Sequence, residues 1–258
     1  LMWNLNELNA GLFAKWWGLL EAADADDMTR LIRERAPAIT WNHQTFPALG
    51  LLFGADYFGR HYDLRVAHQR RQWVETLMHG QFVAAKPMCD CWGYQDITIA
   101  HTAYLASLLG RWDYYERYPL HQFLRLRLAV HDNLGAGVGY GDVGGYSAPV
   151  EGDPRDSMSS LASVTGGRID LRRVTPEEVE GLYVHPVEPL WYAQFGGRSS
   201  TPLGKAFDKI TMRQSHDPRR AYLLLDGLSG SNHGHGDGNT ILRFTANGRM
   251  WLCEGDYL

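Results

Sequence analysis

The hydrophobic period of this chain changes once, and no other feature constrains its fold as much. Through about residue 130, apolar residues recur at steps of three and four. In 44–59 Phe46, Leu49, Phe53 and Tyr57 form one stripe, and 66–82 repeats it with Val66, Trp73, Leu77 and Phe82. In 93–109 Tyr94, Ile97, His101, Tyr104 and Leu108 share one face. These segments predict helices in hairpins packed about a common axis. After residue 202 the pattern becomes that of strands, at 209–213, 221–226, 240–245 and 249–253. Asn247-Gly248 separates the last two and is a strong short-range hairpin signal. Helices first and strands afterwards argue against alternating βαβ units.

Between these regions, 135–202 is rich in Gly, Pro, Ser and Asp, with one helix expected at 176–182. A tract this long without regular structure carries function or joins domains. The boundary is therefore set near residue 202, giving a helical domain over 1–202 and a β domain over 203–258. At 258 residues and 45% hydrophobic, the chain has apolar material for one large domain or two modest ones. The balance of 25 basic to 29 acidic side chains gives a net charge of −4, which supplies no electrostatic case for nucleic acid. The longest nearly apolar stretch, 48–55, is too short to cross a bilayer, so no membrane insertion is expected. The first segment, 1–22, reads as a helix interior with no signal-peptide pattern. The chain reads as an excerpt of a longer protein. Cys89, Cys91 and Cys253 make an odd count with no disulfide framework.

The sharpest local feature is Asn232-His233-Gly234-His235-Gly236-Asp237-Gly238-Asn239, between two expected strands. Histidines at i and i+2 of an extended segment point to opposite faces. One imidazole can then face a cleft while the other binds a metal, with Glu254 and Asp256 downstream as further ligands. The string is similar to the His-x-His-x-Asp of metallo-β-lactamase-like hydrolases, but Gly238 stands where that pattern needs its next His. In the helical half, Trp41-Asn42-His43-Gln44 and Asp90-Cys91-Trp92-Gly93-Tyr94-Gln95 each stand at an expected helix start. Asn42 is a good N-cap, and Tyr94 lies on an apolar stripe as a packed core tyrosine would.

Taken in series, these segments resemble the heparinase II/III-like polysaccharide lyases. The resemblance rests on His233-Gly-His235-Gly-Asp237-Gly-Asn239, Arg243-Phe244, Asn247-Gly248-Arg249 and Glu254-Gly255-Asp256-Tyr257, preceded in family order by Asn42-His43, Gly93-Tyr94-Gln95 and Gly141-Asp142. It implies an incomplete (α/α) toroid followed by the start of an antiparallel β-sandwich. It also implies β-elimination on an acidic, 1,4-linked uronate polysaccharide, with export to the periplasm or beyond.

On this resemblance Asn42 and His43 neutralise the uronate carboxylate. Tyr94 is the acid, and also the base for syn elimination, while His233 is the base for anti elimination. Trp41, Trp92 and Arg243 meet the substrate. His235 binds a structural zinc with Glu254 or Asp256, a further ligand lying beyond residue 258. Where the family pattern reads Asp, one residue, Gly, one residue, Tyr, this chain has Cys253-Glu254-Gly255-Asp256-Tyr257. Two other classes remain. One is a glycoside hydrolase using a carboxyl pair from among Asp56, Asp90 and Asp96. The other is a catalytically silent sugar-binding member with Trp41, Trp92 and Trp191 as stacking platforms.

Overall fold

The computed structural model describes residues 42–62, 65–83, 91–116, 118–141, 153–155, 166–189, 192, 201–227 and 239–254. Its helices are α1 (Asn42–Tyr62), α2 (Arg65–Val83), α3 (Trp92–Leu108) and α4 (Tyr118–Ala129). Five strands follow: β1 (Gly181–Pro186), β2 (Phe207–Arg213), β3 (Tyr222–Asp226), β4 (Ile241–Ala246) and β5 (Arg249–Cys253). They form one antiparallel sheet in the order β1-β2-β3-β4-β5, each strand beside its sequence neighbour.

This architecture corrects the expected fold class. Four helices and a single five-stranded sheet, among the described residues, do not make a large (α/α) toroid followed by a sandwich. The reason is visible in the core. Phe82, Ile99, Phe123 and Val138 from the helical part and Tyr183, Tyr222, Leu224 and Leu242 from the sheet belong to one continuous buried cluster. Helices that bury their apolar side against a sheet spend it there. None of the described helices is long and apolar enough to cross a membrane.

Helix α4 is tied to the sheet at its C-terminus, where the last carbonyls of a helix lack intrahelical donors. The Arg213 guanidinium of β2 supplies them: Nη2 donates to the carbonyls of Leu128 (3.3 Å), Ala129 (2.9 Å) and His131 (2.5 Å). The Tyr222 hydroxyl of β3 also donates to Ala129 O, at 2.8 Å. A cation at a helix C-terminus is favoured by the helix dipole as well. In the following turn, Asn133 Nδ2 donates to the carbonyls of Asp217 and Arg220 between β2 and β3.

The four strands expected after residue 202 are present within two residues of their expected bounds. Asn247 (φ 56°) and Gly248 (φ 70°) both take the left-handed conformation that a type I′ hairpin turn requires. The segment 176–182 differs from expectation. Only a short 3-10 turn forms, Pro176–Val179, closed by a capping box between Thr175 and Glu178. Gly181, at φ 72°, then turns the chain into β1, which lies before the boundary set at residue 202.

The stripes differ too. In α3 the side facing the core carries Gln95, Thr98, Ile99, Thr102, Ala103, Leu105 and Ala106, whereas Ile97, Tyr104 and Leu108 are exposed. In α1 the buried residues include Ala48, Leu51 and Leu52, and Phe46 and Phe53 face outward. Small residues let neighbouring helices approach closely, which leaves the bulkier aromatic stripe on the other side.

The sheet shows a similar inversion. Its helix-facing side buries Lys209, Thr211, Arg213, Asp226, Arg243 and Thr245. The opposite side carries a cross-strand row, Leu182-Met212-Leu223-Phe244-Leu252, one apolar residue from each strand.

Candidate functional site

The start of α3 is built around Cys91. This buried residue caps the helix from an extended conformation, and its Sγ accepts the Tyr94 N–H at 3.5 Å while its carbonyl accepts the Gln95 N–H at 3.1 Å. Tyr94 is half-buried in the first turn. Beside it, the Arg127 guanidinium lies over the Trp92 ring at 4.9 Å and pairs with Asp96 at 3.1 Å. Trp92 is thus half-buried with one face against a cation.

From Gln95 a polar path runs into the sheet. The Tyr140 hydroxyl donates to Gln95 Oε1 at 3.1 Å, and the Lys209 ammonium sits over the Tyr140 ring at 4.6 Å. Lys209 Nζ donates to Asp226 Oδ1 at 2.5 Å and Asp208 Oδ1 at 3.1 Å. All three charged residues are at most 2% exposed. Burial pulls the Lys209 pKa down, but the two carboxylates outweigh it and hold the ammonium well above the usual lysine range. Burial likewise keeps the Tyr140 phenol protonated, against the opposing pull of Lys209. His185 Nε2 lies 3.9 Å from Asp208 Oδ2, and its Nδ1 is 2.9 Å from the Tyr183 hydroxyl.

Asp226 is the last residue of β3, and the segment bearing His233 and His235 leaves the sheet from it. The root of that segment is closely held. Gly227 N–H lies 2.8 Å from the Asp208 carbonyl and 3.0 Å from Asp226 Oδ1. The Asp226 N–H donates to Thr240 O at 2.9 Å, which joins the outgoing and returning chain. A Cβ at Gly227 would overlap both the carbonyl oxygen and the ring of Phe207. The register shifts between Leu224 and Leu225 opposite β4, an irregularity of the kind that re-aims a strand end.

Asn42 and His43 open α1, but their side chains lie outside the described residues. The first turn of this helix meets the middle of α3. Thr45 Oγ1 is 2.9 Å from His101 Nδ1, and the Phe46 ring stands edge-on to His101 at 4.2 Å. Burial lowers the His101 pKa, which favours the neutral ring. Tyr94 lies seven residues nearer the start of α3, about 10 Å along its axis at 1.5 Å per residue.

Other expected residues stand as follows. Trp41, His233, His235 and Asp256 lie outside the described residues, as do Asp90 and Trp191 from the alternative readings. Arg243, expected to meet substrate, is instead 1% exposed, with its Nη1 3.6 Å from Asp132 Oδ2. Asp132 also accepts the N–H groups of Leu134 and Ala136, so this pair braces the turn after α4. Of the expected zinc ligands only Glu254 is described, half-buried just after β5. Among the described residues no three His, Cys, Asp or Glu side chains converge to hold a metal.

Two of the three carboxylates of the hydrolase reading, Asp96 and Asp56, are engaged in ion pairs. Asp96 faces Arg127, and Asp56 pairs with Arg60 and Arg71 on the α1–α2 surface. Sequence reasoning missed Tyr140, Lys209, Asp208 and Asp226. Their one signal is the acid-base pair Asp208-Lys209 inside an otherwise strand-like run. Comparison with protein-family models, curated proteins and solved structures finds no match for this chain.

Proposed function

We propose that this chain carries part of the cleft of a polysaccharide lyase that cleaves a 1,4-linked uronic-acid polymer by β-elimination. The observation carrying this reading is the short polar path Gln95-Tyr140-Lys209-Asp226, which links the turn bearing Tyr94 to the root of the segment bearing His233. The path joins two parts of the chain far apart in sequence, the turn that carries Tyr94 and the residues Asp226 and Gly227 that precede the segment containing His233. The reading stands on these residues and not on a fold likeness.

The chemistry asks for little else. The C5 proton of a uronate is poorly acidic while the adjacent carboxylate keeps its charge. Asn42 and His43 supply donors that take up charge as the enolate-like intermediate forms. His233 removes the C5 proton in anti elimination, or Tyr94 does so in syn. The C5–H electron pair becomes the C4=C5 double bond as the C4–O bond breaks. Tyr94 delivers a proton to the departing glycosidic oxygen, leaving a 4,5-unsaturated uronate.

The test is ultraviolet absorbance of the unsaturated product, followed with the full-length parent protein on a panel of uronate polysaccharides. Tyr94→Phe is expected to lower kcat by about 100-fold or more, the usual weight of a general acid-base group. New reducing ends without absorbance would instead establish hydrolysis, and binding without cleavage a silent sugar-binding member.

A further inference from the structure

The path from α3 to β3 does more than fill space. Lys209 is the only cation placed between Asp208 and Asp226 by a described contact, and it reaches both carboxylates and the Tyr140 ring at once. Removing any member changes the others. Without Tyr140 the first turn of α3 loses its hydroxyl donor at Gln95, and without Lys209 the buried Asp208 and Asp226 carboxylates lose the ammonium that both accept. The Asp226 carboxylate that binds Lys209 also accepts the Gly227 N–H, so the same oxygen holds the ammonium and the departing backbone. A side chain at Gly227 would overlap Phe207.

We propose that Lys209 is a positioning residue that locks the first turn of α3 and the root of the His233 segment into one rigid unit, with Tyr140 transmitting between them. At 1% exposed, Lys209 acts through these neighbours rather than on substrate. Its effect on catalysis rests on the lyase reading, but its mechanical role does not.

The experiment uses the full-length protein with Tyr140→Phe, which keeps the ring and removes only the hydroxyl, alongside Lys209→Met. Amide hydrogen exchange is read at Gln95 and Gly227, and kcat and KM are read on the uronate polysaccharide that the wild type cleaves. The expected result for Tyr140→Phe is faster exchange at both amides, by about 10-fold, with Tm lowered only slightly. The same variant is expected to lower kcat by about 10-fold while KM stays within about two-fold, because misplacing reacting groups costs rate more than binding. Lys209→Met is expected to exaggerate both effects if it folds; Tyr140→Phe decides the matter if it does not. Faster exchange at Gln95 alone would overturn the coupling, and so would an unchanged kcat in an active enzyme. If the wild type cleaves no uronate polymer, the lyase reading falls, and exchange at both amides alone decides the positioning role.

Discussion

Replacing Arg213 with Met tests how the helical part is held to the sheet. Met fills similar space without a donor or a charge, so the loss falls on the carbonyls that Arg213 serves and on His216, whose Nδ1 lies 2.6 Å from the Arg213 Nη1. Of these, Leu128 O is a long contact at 3.3 Å, and Ala129 O keeps the Tyr222 hydroxyl at 2.8 Å. His131 O loses its charged donor outright, having been held at 2.5 Å. A hydrogen bond to a charged group contributes about 1.5–3 kcal/mol. The helix-terminal charge adds up to about 2 kcal/mol where partly buried, offset by no longer burying a guanidinium. The expected destabilisation is therefore about 2–4 kcal/mol, read as the shift of a urea unfolding curve with unchanged slope.

Tyr222→Phe alone is expected to cost about 1 kcal/mol, since Ala129 O then keeps Arg213. The double variant strips Ala129 O of both partners and is expected to cost about 1 kcal/mol more than the sum of the singles. Strict additivity, or an Arg213→Met cost below about 1 kcal/mol, would refute the claim that these two side chains share the capping of α4.

Three other outcomes follow from single positions. His131 is held neutral in the fold, its pKa lowered to about 4 by burial first and then by the Arg127 and Arg213 charges. The unfolded chain binds that proton near pH 6.5, so stability is full above this value and is lost as pH falls toward 4. The contribution at pH 5 is about 2 kcal/mol, and His131→Gln is expected to flatten the urea-midpoint profile between pH 7 and 5 by that share. Gly227→Ala is expected to lower stability by about 1–3 kcal/mol, the cost of overpacking, because a Cβ there meets the backbone of Phe207. Thermal unfolding checks both this and Gly248→Ala, which puts a side chain at φ 70° and should cost about 1 kcal/mol.

The sequence by itself determined the local elements wherever the signal is local. Asn247-Gly248 dictates a hairpin because only residues tolerant of positive φ suit its turn, and the strands on either side follow. The helical period of 44–59, 66–82 and 93–109 dictates helices, and α1, α2 and α3 form there. The order of the motifs along the chain is also enough to make Tyr94 and His233 the acid-base candidates.

Which side of each element would be buried was decided only by the tertiary structure. Lys209-Ile-Thr-Met-Arg213 alternates polar and apolar, and alternation cannot say which set turns inward. In the fold the polar set does. Lys209 finds Asp208 and Asp226, and Arg213 finds the end of α4, while Met212 is left exposed. Arg243 is turned from an expected substrate contact into a buried partner of Asp132 by the same inversion. A charge can be buried only where partners from distant segments meet it. The path from Gln95 to Asp226 is such a meeting, assembled from the start of α3, the turn after α4 and two strands, and no sequence period encodes it.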